Sequence, residues 1–145
     1  MFIGKSLLRL SETRQITLPP NFSAGMSDPI YLTQGFDRNL LLLPQETFKT
    51  LFSHLKETSI SDPLARLMSR LFFGAAVEIV MDRSAHIEIP LVLSNYAGIR
   101  EEILVIGMGN FLEIWSPEFW SKEEENLNDF QSNAHRFDKF DISFS

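Results

Sequence analysis

Any chemistry in this chain has to be assembled from three histidines, scattered carboxylates and a few cations, because the sequence contains no cysteine. That excludes thiol nucleophiles, Cys-ligated zinc and disulfides, and it fits a reducing compartment. His54, His86 and His135 are not at metal-ligand spacing. No G-x-S-x-G elbow or phosphate-binding loop occurs. Gly107-Met108-Gly109 lacks a third glycine and runs into Leu112-Glu113-Ile114-Trp115, a strand pattern where a dinucleotide site requires a helix. The adjacent acids Glu101-Glu102 read as a solvated edge. The sequence therefore predicts no enzyme, no metal and no cofactor.

Surface recognition remains. Lys5 and Arg9 stand at i and i+4 of a strand and so share a face, and Arg14 lies in the turn that follows. Two readings stay open for these three cations: phosphate contacts that position a duplex, or a solubilising exposed face. The matching region further along the chain offers only Arg83, flanked by Glu78, Asp82 and Glu88. Over all 145 residues, 13 Lys+Arg against 19 Asp+Glu give a net charge of −6, so no whole-chain basic field advertises a nucleic acid. The charge is uneven, however. Residues 1–75 carry 8 basic and 6 acidic side chains, residues 76–121 carry 2 and 7, and residues 122–145 carry 3 and 6.

The elements that must hold these residues repeat. Residues 10–19 lie over 81–90 at an offset of 71, with apolar positions and a proline coinciding, and residues 31–36 and 40–48 lie over 103–108 and 112–120 at an offset of 72. Only Ile16, Pro19, Leu32, Gly35, Leu40 and Glu46 are identical to their counterparts, so coincidence between two ordinary hairpins is the competing explanation. Each unit reads as strand, turn, short strand, short helix, second hairpin and helix. Ile16/Leu18 alternate with Gln15/Thr17, and Ile87/Ile89 with His86/Glu88, the period of half-buried strands. Pro19-Pro20 and Pro90 end those strands and open short helices. The second hairpins turn at residues 35–39 and 107–110.

Two amphipathic helices are predicted between the units. Phe48, Leu51, Phe52 and Leu55 form one stripe, and Leu64, Leu67, Met68, Leu71 and Phe72 form the other, which starts at the N-cap Asp62 with Pro63 behind it. A further helix starts at Ser116-Pro117 and buries Phe119 or Trp120. The tail, with Glu123-Glu124-Glu125 and Phe130, Phe137, Phe140 and Phe144 among polar residues, is expected to be a mobile end, with docking on a neighbouring subunit as the alternative. Residues 40–43 and 103–106, the longest apolar runs, are too short to span a membrane, and Lys5, Arg9 and Arg14 interrupt any secretory core. The expectation is a cytoplasmic protein. Its organisation reads as a first unit at residues 5–48, linking helices at 49–75, a second unit at 76–120 and an acidic tail at 121–145.

The opening Met-Phe-Ile-Gly, the two strand-turn-strand-Pro segments, and Arg70-Leu71-Phe72-Phe73-Gly74-Ala75-Ala76 resemble the bacterial MraZ family. So do Tyr96-Ala97-Gly98-Ile99, Ile106-Gly107-Met108-Gly109-Asn110 and Glu113-Ile114-Trp115. The resemblance covers roughly residues 1–121. It implies an α+β fold, mainly β: a pseudo-two-fold tandem of AbrB-like swapped-hairpin units forming a β-barrel with packing helices, assembled into closed homo-oligomeric rings. It further implies a nucleoid-associated transcriptional regulator that binds repeated DNA sites ahead of the division and cell-wall gene cluster. The family's Asp-x-x-x-Arg motif is degenerate here. Ser11 and Gln15 replace its Asp and Arg in the first unit, with Thr13 and Arg14 where Lys-Gly is common, and in the second unit Asp82 is kept while His86 replaces the Arg. Gln15 cannot supply the fixed cation of an arginine. Arg14 and Ala85 stand where glycine would accept positive φ, so a change of turn shape is expected. The candidate DNA-contacting residues are Lys5, Arg9, Arg14, Gln15, Arg83 and His86. The alternative is a ring-forming structural or protein-interaction module whose DNA binding is lost or weakened.

Overall fold

The alternating apolar residues of the two halves build eight strands and six α-helices in a computed structural model that describes residues 1–58 and 60–143. Phe144, named above with the tail, lies outside the described residues. The first half contributes β1 (Lys5–Arg9), β2 (Gln15–Thr17), β3 (Ile30–Gln34) and β4 (Leu40–Pro44), and the second contributes β5 (Val77–Ile79), β6 (His86–Glu88), β7 (Glu102–Gly107) and β8 (Leu112–Trp115). Six of them form one antiparallel sheet in the order β1-β7-β8-β4-β3-β5, while β2 and β6 pair as a separate ribbon. The result is the expected α+β class. Among the described residues no ladder joins β1 to β5.

The halves exchange strands. β1 of the first half pairs with β7 of the second, Leu7 facing Leu104, and β5 of the second half pairs with β3 of the first, Tyr31 facing Glu78. An approximate two-fold axis relates the halves. It passes between Leu41 and Glu113, which face each other where β4 meets β8, and between Ile16 and Ile87, which face each other in the ribbon. These pairs are separated by the same 72 and 71 positions as the sequence offsets. Ile16, Leu18, Phe22, Leu32, Leu40 and Leu42 of one half meet Ile87, Ile89, Leu93, Leu112 and Ile114 of the other in a single buried cluster. Burying aliphatic side chains of this kind stabilises by about 1.5–3 kcal/mol each.

Short helices follow the prolines, as their fixed φ favours: α1 (Pro20–Ser23) after Pro19 and α4 (Leu91–Ala97) after Pro90. Between the halves run α2 (Gln45–Lys56) and α3 (Pro63–Phe72), the latter capped by Asp62, whose side chain accepts from the Leu64 N–H. Phe48 of α2 stacks on Tyr31 with ring centroids 4.1 Å apart, and Thr33 donates its hydroxyl to the Phe72 carbonyl, fixing α3 to β3. The stripe expected to pack along α3 is only partly covered. Ala65 and Phe72 are buried, whereas Leu64 and Leu67 stay exposed.

α5 (Pro117–Leu127) opens with Ser116 accepting from the Phe119 N–H, and both Phe119 and Trp120 are half-buried beneath it. The tail, expected to be a mobile end, carries further helical structure. It folds into α6 (Phe130–Arg136), capped by Asp129, and a 3-10 turn over Phe137–Phe140. The Asp129 cap supplies the missing start signal, since its carboxylate accepts from the Ser132 N–H.

Gly107 shows why the N-terminal residues stay close to the sheet. A Cβ there would collide with the backbone of Phe2 and Ile3, which cross over it, and the crossing is held by Phe2–Gly109 and Gly107–Gly4 backbone hydrogen bonds of 2.8 Å.

Candidate nucleic-acid interface

The β2–β6 ribbon is the place where the two halves display equivalent motif residues side by side. Ile16 and Ile87 point into the core, each 1% exposed, so Gln15, Thr17 and Glu88 must point outward, and His86 is half-buried beside Thr17. Gln15 faces Glu88 and Thr17 faces His86 across the ladder. The ladder is lengthened by the Leu18 N–H donating to the Ala85 carbonyl and the Ile89 N–H donating to the Arg14 carbonyl, both at 2.9 Å.

Each ribbon strand is entered through a turn of the same construction. In the first, the Arg14 N–H donates to the Ser11 carbonyl at 3.0 Å, and the Ser11 hydroxyl accepts from the Gln15 N–H at 3.1 Å. In the second, the Ala85 N–H donates to the Asp82 carbonyl at 3.0 Å, and Asp82 Oδ1 accepts from the His86 and Ser84 N–H groups at 2.9 Å. Arg14 and Ala85 both adopt φ 63°. The two turns share one backbone shape, and in the first the Ser11 hydroxyl takes the place that the Asp82 carboxylate holds in the second.

The motif's last position is paired in the second turn, where His86 Nδ1 lies 2.9 Å from Asp82 Oδ2. The backbone N–H of His86, ahead of the imidazole and the Ser84 N–H, holds the Asp82 carboxyl below its ordinary range. The imidazole is thereby tied to an acid.

The six candidate residues do not form one cationic rim. Lys5 and Arg9 share a face of β1, but four residues of strand rise set them about 13 Å apart. Lys5 lies opposite Ile106 with its Nζ 5.1 Å from the Trp120 ring centroid, and Arg9 lies opposite Glu102 with Nη2 4.0 Å from Glu101 Oε2. Arg14 is half-buried. Its positive φ turns the side chain back over the ribbon, where Nε donates to the Ile89 carbonyl at 3.4 Å and Nη2 is buried without an acceptor among the described residues. β1 runs along the sheet edge, whereas the Arg14 turn belongs to the ribbon. Gln15, Arg83 and His86 do sit on the ribbon and its turns. Arg83 is exposed at the tip of the second turn, without an ion pair among the described residues.

Sequence reasoning undervalued Ser11 and Thr17. Ser11 builds its turn, and Thr17 occupies the outward position across from His86. The signal for both was the offset of 71, which superposes Ser11 on Asp82 and Thr17 on Glu88. The acids Glu12, Asp82 and Glu88 border the same surface, so its cationic character is slight. No group of three His, Cys, Asp or Glu placed to hold a metal occurs among the described residues, and no helix there is long and apolar enough to cross a membrane.

Comparison with known proteins points the same way as the repeat. The profile of a family described as "MraZ protein, putative antitoxin-like" matches residues 72–141, running past residue 121, where the resemblance in sequence was expected to end. A protein of Herpetosiphon aurantiacus named "Transcriptional regulator MraZ" is 35% identical over 129 residues, covering 89% of this chain and 90% of its own length. Relatives of the same name from Clostridium beijerinckii and Natranaerobius thermophilus are 33% and 29% identical, each over 98% of this chain and 100% of its own.

Proposed function

The chain belongs to the MraZ family, and on that premise we propose that it is a DNA-binding transcriptional regulator which uses the β2–β6 ribbon as its contact surface. The observation that carries this reading is the ribbon itself: two equivalent turns and strands, from two halves, brought to one surface by the Ile16–Ile87 pairing. In this proposal residues 5–48 and 76–120 are the two units, residues 49–75 link them, and residues 121–145 form an appended tail. Gln15, His86 and Arg83 meet DNA from the ribbon, Arg14 shapes its first turn, and Lys5 and Arg9 reach phosphates from the flanking sheet edge.

The finer reading is that the protein acts in the cytoplasm at the nucleoid, on repeated sites ahead of the division and cell-wall genes, as a closed ring. Electrostatics supports the need for many copies. With both motif arginines replaced and Arg14 engaged with the Ile89 carbonyl, one subunit offers few free cations. Linked weak sites gain about 10²–10⁴ in affinity when their spacing fits, and a ring with repeated operators would supply that linkage.

A second reading has its own support. Arg14 turned inward, His86 held by Asp82, and Glu12 and Glu88 on the same surface favour a ring module whose DNA binding has weakened. Salt titration of binding to a repeat-containing fragment separates the two. A regulator should lose affinity with log salt at a slope of about −0.9 per phosphate contact. A flat response would favour the module.

A further inference from the structure

Outside the ribbon, two surfaces are left open in the folded chain, and they match each other. The first is a groove of about 420 Å³ between α2 and α3, floored by Phe52, Leu55 and Phe73 and rimmed by Lys56, Arg66 and Arg70. Its floor is aromatic, with the Phe52 and Phe73 rings edge-on at 5.6 Å. Arg66 is partly committed, since its Nη1 donates to the Ile60 carbonyl at 3.0 Å, while Lys56 and Arg70 are exposed.

The second is one face of the tail. Phe130 and Phe137 are seven residues apart along α6 and its continuation, and Phe140 follows Phe137 by three in the 3-10 turn, so the three rings fall along one side. They are 76%, 55% and 59% exposed. A helical stripe of this kind ordinarily packs against something. Asp129, Asp138 and Asp141 stand among the rings, Asp129 and Asp138 each 4.0 Å from a basic side chain of the tail (Arg136 and His135) and Lys139 over the Phe140 ring, and residues 122–145 as a whole carry 3 basic and 6 acidic side chains. Residues 49–75 carry 4 basic and 2 acidic, the acids being Glu57 and Asp62.

We propose that the groove between α2 and α3 receives the Phe130, Phe137 and Phe140 face of the tail from a second copy of the chain. Among the described residues of one chain the rings remain exposed and the groove open, so the occupant proposed is another copy. The apolar face would enter the groove as a helix in a cleft, adding edge-to-face contacts to Phe52 and Phe73, while the aspartates meet Lys56 and Arg70. This contact requires no DNA and is independent of the regulator proposal.

The absence of cysteine makes the test direct. A full-length Gln131→Cys chain is mixed with a full-length, affinity-tagged Ser69→Cys chain, oxidised mildly, and the products are weighed by mass spectrometry. The expected result is a mixed disulfide dimer. Its yield should fall by about tenfold or more when Lys56→Glu and Arg70→Glu are added to the groove chain, or Phe130→Ser and Phe137→Ser to the tail chain. All four positions are exposed, and circular dichroism of each variant checks that the fold persists. No mixed dimer between folded chains would overturn the proposal, as would a mixed dimer indifferent to those substitutions. A disulfide that forms only within one chain carrying both cysteines would also overturn it.

Discussion

Arg14 and Ala85 occupy the same left-handed backbone conformation, φ 63° in each, on equivalent turns of the two halves. Neither is glycine, the residue that adopts this region without a steric penalty. Hydrogen bonds that the Ser11 and Asp82 side chains accept from the Gln15 and His86 N–H groups hold the conformation, and each turn feeds one strand of the ribbon.

Replacing Ala85 by glycine should therefore stabilise the fold. Relief of the left-handed penalty, set against the greater freedom of glycine in the unfolded chain, leaves a net gain of roughly 0.5–1 kcal/mol. Arg14→Gly should gain less, because it also loses the contact with the Ile89 carbonyl. Urea midpoints of the two variants, compared with the parent, measure the difference. An Ala85→Gly chain less stable than the parent would show that the turn is not strained.

The two turns should also differ in acid. Asp82 has its carboxyl lowered chiefly by the His86 N–H, so its contribution to stability is present above the ordinary carboxylate range and is lost as pH falls through its lowered value. Ser11, its counterpart, does not titrate. Asp82→Ser copies the first turn into the second and should flatten the decline in stability below about pH 4. Denaturation midpoints followed from neutral pH downwards test this, and curves of identical shape for parent and variant would refute it.

Glu113 presents the opposite sign. Burial pushes its carboxyl up, against the hydrogen bond that Trp115 Nε1 donates to Oε1 at 3.0 Å. A raised value means that its stability contribution is present at low pH and is lost as pH rises through that value. Glu113→Gln keeps an oxygen for the indole and removes the buried charge. The variant should gain stability over the parent on going from mildly acidic to neutral pH, read as a widening gap in urea midpoint. A gap that does not change with pH would contradict the burial argument.

On DNA, Arg83→Ala should reduce the salt slope by about 1 while leaving thermal stability unchanged, the signature of a lost phosphate contact. Lys5, Arg9 and Arg14 changed together to Ala should weaken binding further, and Arg14 should account for any accompanying loss of stability. Fluorescence anisotropy at several salt concentrations, alongside melting curves, separates these effects. Equal losses from both sets would deny the first half its larger share.

Much of the architecture was legible because it rests on local pattern. The period-two alternation around Ile16 and Ile87, the prolines behind it, and Asp62 before Pro63 each declare an element from a few adjacent residues, and the offset of 71 aligned Ile16 with Ile87 as equivalents, though not as partners. The direction of Arg14 was not legible. It depends on the backbone of a turn that Ser11 braces and on the carbonyl of Ile89, 75 positions away, neither of which the strand and turn spacing of Lys5, Arg9 and Arg14 reveals. The helix in the tail was not read from the sequence either, although its cap and ring spacing were present in Asp129, Phe130 and Phe137.

The strand exchange governs how the protein comes into being at the ribosome. β1 is translated well before its partner β7, and β3 must likewise wait for β5. The nascent first half thus travels with unsatisfied strand edges, open to pairing with a sister chain on the same polysome, until the second half arrives to claim them.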